Sequence, residues 1–243
     1  MRTEVLGVGF DDVTMEQAVE QALLLMETRN GGYLVTPNAE IAWICRKDPS
    51  VGALVADAEL VLADGVGITL GARILGRPLQ ARVPGSDFIV QLLKQMAQRE
   101  QSVFLFGAKP GIAVTAGERI VEQFPGLRVV GTADGYGDDT QVAEAVQEAK
   151  PDLLLVCLGA PKQERWMSAQ QGSLDVGLMA GLGGMLDVFA GVVERAPERW
   201  CRWGFEWLYR LIKEPRRAKR MLKLPLFLFA VIGERLRGKS RRR

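Results

Sequence analysis

The feature that most constrains the fold is a series of short, continuously apolar runs. Residues 153–156, for example, are Leu-Leu-Leu-Val, with no alternation of polar and apolar positions. A strand has this pattern when both faces of its sheet are buried, as in parallel sheets covered by helices. The predicted strands occupy residues 4–8, 32–35, 59–63, 102–106, 127–131, 152–158 and 176–180.

Amphipathic stretches lie between these runs and predict helices. Thr14 is a predicted N-cap, and Gln17 three residues later completes the pattern of a capping box. Further helix starts are predicted near Ser86, at Pro110 and at Asp139 or Thr140. Strand followed by helix, repeated, predicts an α/β fold with an open, mostly parallel, Rossmann-like sheet and helices on both faces.

The composition restricts the chemistry that the chain can perform. It contains no histidine, so any acid–base work falls to Asp, Glu, Lys, Tyr or Cys. Its three cysteines, Cys45, Cys157 and Cys201, lie far apart and show no CxxC spacing. This pattern argues against a disulfide framework and a cysteine metal site, and it fits a reducing cytoplasm.

Charge is distributed unevenly along the 243 residues. Residues 195–243 carry 16 Lys and Arg against 4 Asp and Glu, whereas residues 1–194 carry 15 against 25. We therefore predict an acidic α/β domain at 1–194 and a basic helical appendage at 195–243, with helices over 197–213 and 215–238. Such an appendage indicates an anionic membrane or nucleic acid as partner, or only a solubilising surface.

Neither a signal peptide nor a membrane span is expected. Acidic residues stand near the start of the chain, where a signal peptide would be apolar. The longest apolar run covers ten residues, 224–233, and a membrane-spanning helix needs about 20.

Two predicted strands end in loops with polar side chains, at the edge where parallel sheets bind ligands. Thr36-Pro37-Asn38 follows the second strand, and Asn38 is either a helix cap, a ligand contact or both. Ala63-Asp64-Gly65 follows the third strand. Asp64 is either a cap or, in a chain without histidine, a candidate general base.

Two further loops indicate anion binding. Gly107, Ala108 and the residues up to Gly111 form either a plain tight turn or a phosphate-binding turn before a helix. In Gly159-Ala160-Pro161-Lys162-Gln163, Lys162 falls in the first turn of a helix, where it opposes the helix dipole. A bound anion would explain that placement.

The glycines at 181–184 precede Asp187 by one helical turn. They serve either to pack a helix on a strand or, with Asp187, to hold a ribose hydroxyl.

These loops, in this order, resemble the WecG/TagA/CpsF glycosyltransferases over nearly the whole chain. The resemblance rests on motifs that are specific together rather than singly. They are Gly7-Val8-Gly9-Phe10, Thr36-Pro37-Asn38, Ala63-Asp64-Gly65, the segments 82–87 and 159–164, Arg195-Ala196-Pro197, and the segments 204–211 and 214–217. Phe205 stands where the family pattern has Leu.

The resemblance implies an inverting transfer of N-acetylmannosamine from its UDP donor to the 4-hydroxyl of a lipid-linked N-acetylglucosamine diphosphate. The acceptor lipid would be a polyprenyl such as undecaprenol, the linkage β-1,4, and the pathway that of teichoic acid or a related surface polysaccharide. Another donor, such as UDP-N-acetylmannosaminuronic acid or UDP-glucose, is the alternative.

The resemblance also implies roles for individual residues. Asp64 would be the general base, Thr36 and Asn38 would bind the donor sugar or the acceptor, and Arg82 would neutralise the leaving diphosphate. Gln163 would orient a hydroxyl or a phosphate. The nucleotide would be held by Asp187 and the turn at Gly135 and Tyr136. The resemblance implies neither a cofactor nor an obligatory metal.

Because the implied acceptor is anchored in the inner leaflet, we expect a cytoplasmic protein bound peripherally to the inner face of the cell membrane. Basic residues at 216–223 lie beside apolar residues at 222–229, which is typical of an interfacial helix. The resemblance implies that Arg210, Arg217 and Arg220 complete the active site. Exposed apolar residues in this segment also predict self-association away from a membrane.

Three other functions make distinguishable predictions. A nicotinamide-dependent enzyme would carry GxGxxG after its first strand, and Gly7-Val8-Gly9 lacks the third glycine. A specific nucleic-acid binder would spread basic charge over a groove, whereas residues 1–194 are acidic. A non-catalytic membrane adaptor would tolerate substitution of Asp64 and Arg82.

Overall fold

A computed structural model describes residues 1–194, 196–197, 199–200, 206–213 and 223–240. Its strands are β1 (Arg2–Val5), β2 (Val8–Asp11), β3 (Tyr33–Val35), β4 (Leu60–Val61), β5 (Ser102–Gly107), β6 (Arg128–Ala133), β7 (Leu153–Cys157) and β8 (Leu178–Gly181). Its first helices are α1 (Met15–Thr28), α2 (Ala39–Lys47), α3 (Pro49–Ala56), α4 (Val66–Leu75), α5 (Gly85–Gln98) and α6 (Ile112–Gln123). The later helices are α7 (Asp139–Ala149), α8 (Lys162–Gln170), α9 (Met185–Phe189), α10 (Glu206–Lys213) and α11 (Lys223–Ser240).

Six strands form one parallel sheet in the order β4-β3-β8-β7-β5-β6. Successive residues of β7 alternate between the two faces of the sheet. Leu153 and Leu155 pack in one hydrophobic cluster, whereas Leu154 and Val156 pack in the other. Both faces are therefore buried, as the apolar run predicted, and the α/β fold class is confirmed.

The first predicted strand, at 4–8, is wrong. The chain instead forms an antiparallel hairpin of β1 and β2, separate from the main sheet. Its turn falls at Leu6 and Gly7, where φ is 53° and 85°. The apolar residues on either side of this turn hid it, because they read as a single continuous run. Asp11 at the end of β2 accepts a hydrogen bond from the Val61 amide at 2.8 Å and so ties the hairpin to β4.

Helix starts agree with the sequence to within a few residues. The Thr14 and Gln17 side chains form the predicted capping box at α1. Two starts differ slightly from the predicted positions. Helix α5 begins at Gly85, before Ser86, with Pro84 as its N-cap, and α6 begins at Ile112, after Pro110, with Gly111 as its N-cap. The N-cap of α7 is Asp138, whose side chain accepts from the Thr140 amide.

Helix α11 packs on the α/β body against α2 and α4. Phe227 and Val231, one turn apart, are fully buried. Lys223 forms an ion pair with Glu40 of α2 at 3.0 Å, and Arg235 donates to the carbonyl of Leu75 at 2.8 Å. The opposite side of α11 is exposed, with apolar residues three or four positions apart: Leu226, Phe229, Ile232 and Leu236.

Several predictions for the appendage lie outside the described residues. They concern Arg195, Arg217, Arg220 and most of the basic stretch at 216–223. The backbone of Arg210 belongs to α10, but its side chain also lies outside the described part. The division into domains at residue 194 stays a prediction. Within the described ranges, no helix combines the length and the apolar character that a membrane span requires.

Candidate active site

A cavity of about 290 Å³ opens where β4, β3, β8 and β7 end. These four strands are neighbours in the sheet, so the loops at their carboxyl ends meet along one edge. This is the edge at which open parallel sheets bind ligands. The cavity is lined by all five predicted catalytic residues, namely Thr36, Asn38, Asp64, Arg82 and Gln163.

Backbone hydrogen bonds hold the loops after β3 and β4 together. The Asp64 amide donates to the carbonyl of Pro37 at 3.4 Å. The Val83 amide donates to the carbonyl of Ala63 at 3.0 Å. Because Arg82 precedes Val83 and Asp64 follows Ala63, this second bond brings the backbones of the basic and the acidic residue together, and both residues line the cavity.

Asn38 both caps a helix and faces the cavity, as the sequence allowed. Its Oδ1 accepts from the amides of Glu40 at 2.9 Å and Ile41 at 3.2 Å, which makes it the N-cap of α2. Since Oδ1 is used by the cap, the Nδ2 group remains to donate to a ligand. Thr36 Oγ1 donates to the carbonyl of Gly181 at 3.4 Å and so links the ends of β3 and β8.

The alternative role of Asp64 as a helix cap is wrong. The N-cap of α4 is Gly65, and the helix begins at Val66. Asp64 also lines a second, smaller cavity of about 70 Å³ beside the first, together with Gly85 and Ser86 at the start of α5. Asp64 therefore lines both cavities.

Gln163 is held in the wall of the cavity by hydrogen bonds at both ends of its amide. Oε1 accepts from the backbone N–H of Gly183 at 2.9 Å, and Nε2 donates to Oε1 of Glu164 at 3.0 Å. Glu164 is only 1% exposed, and burial raises its pKa above the ordinary value of a glutamate. Sequence analysis did not predict the burial of Glu164 or its contact with Gln163. Its signal was weak, because an acidic residue in the first turn of a helix is common.

Other predicted binding residues form a separate group, over the ends of β7, β5 and β6. The Gly135 amide donates to the carbonyl of Ala108 at 2.9 Å, and the Ala108 amide donates to that of Cys157 at 3.2 Å. Lys162 Nζ donates to the carbonyl of Gly135 at 3.0 Å. Lys162 therefore has a protein partner, and its binding of an anion stays a prediction.

Of this second group, Gly107, Ala108, Gly135, Tyr136 and Lys162 do not line the larger cavity, whereas Gly159 does. The Tyr136 side chain is 72% exposed. Asp187, on α9, also lines the larger cavity.

Half of the larger cavity is apolar, and the sequence did not predict this wall. Ile41 and Ile44, three positions apart on α2, could have been recognised as one face of the helix that Asn38 caps. Trp207 and Leu224 come from α10 and α11, whose position on the body no local pattern reveals. The remaining apolar lining consists of Ala39, Val66, Ala160, Leu182, Val188 and Val193.

The charged lining within the described ranges consists of Glu40, Asp64, Arg82 and Asp187. Glu40 is paired with Lys223. In the same part of the chain, no three acidic or cysteine side chains are grouped closely enough to hold a metal ion. The arrangement can bring a carboxylate and a guanidinium to a polar substrate beside an apolar surface.

The chain is similar to known proteins over most of its length. The model of the glycosyl transferase WecG/TagA/CpsF family matches residues 3–241. The chain is 35% identical over 208 residues to an N-acetylglucosaminyldiphosphoundecaprenol N-acetyl-beta-D-mannosaminyltransferase of Bacillus spizizenii, covering 85% of this chain and 81% of the relative.

Proteins of the same name occur in Bacillus subtilis and Staphylococcus aureus. The first is 34% identical over 216 residues, covering 88% of this chain and 84% of the relative. The second is 31% identical over 234 residues, covering 95% and 92%. Because the family model matches nearly the whole chain and the chain covers 81–92% of these three relatives, this protein belongs to the WecG/TagA/CpsF family and is a glycosyltransferase.

Proposed function

We propose that the protein transfers N-acetylmannosamine from its UDP donor to the 4-hydroxyl of N-acetylglucosamine carried on a polyprenyl diphosphate. The names of the relatives supply the sugar and the acceptor. The observation that carries the proposal is the convergence of five polar side chains, from four separate segments of the chain, on one cavity. The product would enter teichoic acid or a related surface polysaccharide.

The reaction requires one proton transfer and one leaving group. In our proposal the Asp64 carboxylate takes the proton from the 4-hydroxyl as its oxygen forms a bond to the anomeric carbon. The bond from that carbon to the diphosphate breaks on the opposite face, so the configuration inverts to give a β-1,4 linkage. Arg82, which lines the same cavity as Asp64, stabilises the negative charge that UDP acquires as it leaves.

The remaining polar residues would bind and orient the substrates. The Asn38 amide and Gln163 would donate to hydroxyl or phosphate oxygens in the cavity. Thr36, whose hydroxyl hydrogen is donated to Gly181, would accept from a substrate hydroxyl. The nucleotide would lie towards Asp187, Gly135 and Tyr136, over the ends of β7, β5 and β6. With Arg82 as the counter-charge, we propose that turnover needs no metal ion.

The exposed side of α11 supports binding to an anionic membrane. Phe229 is 72% exposed and Leu236 is 63% exposed, on the side opposite the buried Phe227. Exposed Arg235 and Arg237 lie on the same helix. Apolar side chains inserted at the interface, with basic residues that contribute about 1 kcal/mol each near an anionic surface, would hold the enzyme where its acceptor lies. The same apolar side could pair two copies in solution.

The transfer is tested by measuring UDP release with a polyprenyl-diphosphate N-acetylglucosamine analogue in the presence of a chelator. UDP-N-acetylmannosamine should give acceptor-dependent release of UDP. The one-bond coupling between the anomeric carbon and its hydrogen in the product should identify a β linkage. UDP-N-acetylmannosaminuronic acid and UDP-glucose are the comparison donors. Release with one of these instead would change the donor, and a requirement for added metal would contradict the role given to Arg82.

Membrane binding is tested by co-sedimentation with vesicles. Binding should be stronger with anionic than with neutral vesicles, and Phe229→Ser should weaken it severalfold. Leu24→Ser is the matched control, because Leu24 is 55% exposed on α1, outside the appendage. Equal binding by both variants and the wild type would contradict a role for this side of α11.

A further inference from the structure

The buried carboxyl group of Glu164 lies directly behind the candidate active site. It is 1% exposed, and its Oε1 accepts from Gln163. Its Oε2 has no hydrogen-bond partner among the residues that the structure describes. Burying a carboxyl group with one oxygen unpartnered is costly, so the position calls for a compensating role.

Glu164 and Gly183 together determine the orientation of the Gln163 amide. The backbone N–H of Gly183 can only donate, so it selects the oxygen of the Gln163 side chain. The Glu164 oxygen that faces Gln163 accepts, so it selects the nitrogen. Rotating the amide by 180° would break both bonds, and only one orientation satisfies them. In that orientation the second hydrogen on Nε2 remains for a ligand in the cavity that Gln163 lines.

The backbone of β8 leaves just enough room for this arrangement. A Cβ atom added at Gly181 would lie 3.0 Å from Nε2 of Gln163 and 2.7 Å from Cε of Met167. The amide therefore lies against bare backbone on one side and Glu164 on the other. A side chain packed in this way has little freedom to find another hydrogen-bonded position.

We propose that Glu164 is a positioning residue, which holds the Gln163 amide so that its second N–H binds a hydroxyl or phosphate oxygen of the substrate. Glu164 itself does not touch the substrate. The inference rests on the proposed function, because it assumes that the cavity is the site of transfer.

The positioning does not depend on the charge of Glu164. The titratable groups that its charge affects are Tyr33 on β3 and Cys45 on α2. Burial is the main cause that raises the pKa of both groups, and the charges of Glu164 and nearby acids raise it further. The pKa of Cys45 is raised to about 11. The ion pairs of the described residues do not include Glu164; its neighbour Arg165 pairs instead with Asp48. Oε1 can accept in either protonation state, so an amide oxygen at this position should serve as well.

A double-mutant cycle tests the proposal on the full-length enzyme. Glu164→Gln keeps an acceptor and should retain kcat/KM within about threefold. Glu164→Leu removes the acceptor at similar volume, and it should lower kcat/KM about tenfold or more, as should Gln163→Ala. The double variant Gln163→Ala/Glu164→Leu should be no slower than Gln163→Ala alone, because residues that act as a unit are not additive.

A second measurement reads the contact without turnover. In enzyme labelled with ¹⁵N on glutamine side chains, the Gln163 amide should give two well-separated proton resonances in the wild type and in Glu164→Gln. In Glu164→Leu, where one hydrogen bond is lost, the separation between these two resonances should decrease. Thermal unfolding checks that each variant is folded.

Three results would overturn the proposal: additive losses in the cycle, full activity of Glu164→Leu, or a Glu164→Gln enzyme as slow as Glu164→Leu. The last would mean that the carboxyl group acts chemically rather than as an acceptor. If the wild type transfers none of the donors, the proposed function fails instead. The resonances of Gln163 then decide the positioning on their own.

Discussion

The packing of α11 on the body makes a prediction that two phenylalanines on one helix can test. Phe227 is 0% exposed, and its ring lies so close to Gly71 that a Cβ added there would be 3.1 Å from Cζ. Phe229, two residues later, is 72% exposed. The same substitution at both positions compares a buried ring with an exposed ring in the same segment.

The expected cost of Phe227→Ala follows from the area that the ring buries. An aromatic side chain buries about 200 Å², which at about 25 cal/mol per Å² is worth roughly 5 kcal/mol, less the part that alanine keeps. Measured Phe→Ala changes in cores cost about 3–5 kcal/mol. In a chain of this size such a loss lowers Tm by roughly 10 °C. Phe229→Ala should change the free energy of unfolding by less than about 0.5 kcal/mol.

The assay is urea or thermal unfolding of both variants without lipid. A large loss at Phe227 and none at Phe229 is expected if α11 packs on the body in the free protein. Equal, small effects would refute the reasoning, because they would mean that α11 is detached in solution. Deleting residues 195–243 should for the same reason destabilise the body, since it uncovers α2 and α4.

The remaining predictions concern the site and its support. Asn38→Asp keeps the cap oxygen but loses the Nδ2 donor. The free energy of unfolding should therefore stay within about 0.5 kcal/mol of wild type, while kcat/KM falls at least about tenfold. Activity equal to wild type would exclude the amide from substrate binding. Gly181→Ala should crowd Gln163, lower activity and cost about 1–3 kcal/mol of stability, whereas unchanged activity would show that the amide position is not critical. Burial raises the pKa of Glu164 in the folded protein. The contribution of the protonated side chain to folding stability is therefore fully present below the pKa of the unfolded state, and it is lost as pH rises through the pKa of the folded state. The free energy of unfolding of Glu164→Gln relative to wild type should therefore increase between pH 5 and pH 8, and a constant difference would contradict this.

Local pattern was enough to predict most of the sheet. The run 153–156 could be assigned because a strand buried on both faces has no polar position, and Thr14 and Gln17 form a cap that needs no distant partner. The hairpin was missed because Leu6 and Gly7 adopt positive φ within an apolar segment. No composition rule distinguishes that turn from a continuing strand.

The site, like the fold, could be predicted from the sequence only in part. Thr36 and Asp64 could be placed at one edge because the carboxyl ends of parallel strands share an edge. Their convergence with Gln163 depends on strand order, since β8 and β7 insert between β3 and β5. The contribution of Trp207 and the buried contact of Glu164 depend on tertiary packing. Family resemblance, not periodicity, connected these residues to sugar transfer rather than to a nicotinamide-dependent reaction.

The most direct test of the central claim is the rate of acceptor-dependent UDP release by Asp64→Asn. The amide occupies the same space but cannot accept the proton, so we predict a fall of about a hundredfold or more, with unchanged unfolding. Asp48→Asn is the matched control, because Asp48 caps α3 outside the cavity and asparagine caps equally well. Full activity of Asp64→Asn, with Asp48→Asn also active, would contradict the assignment of Asp64 as the base and of this cavity as the site of transfer.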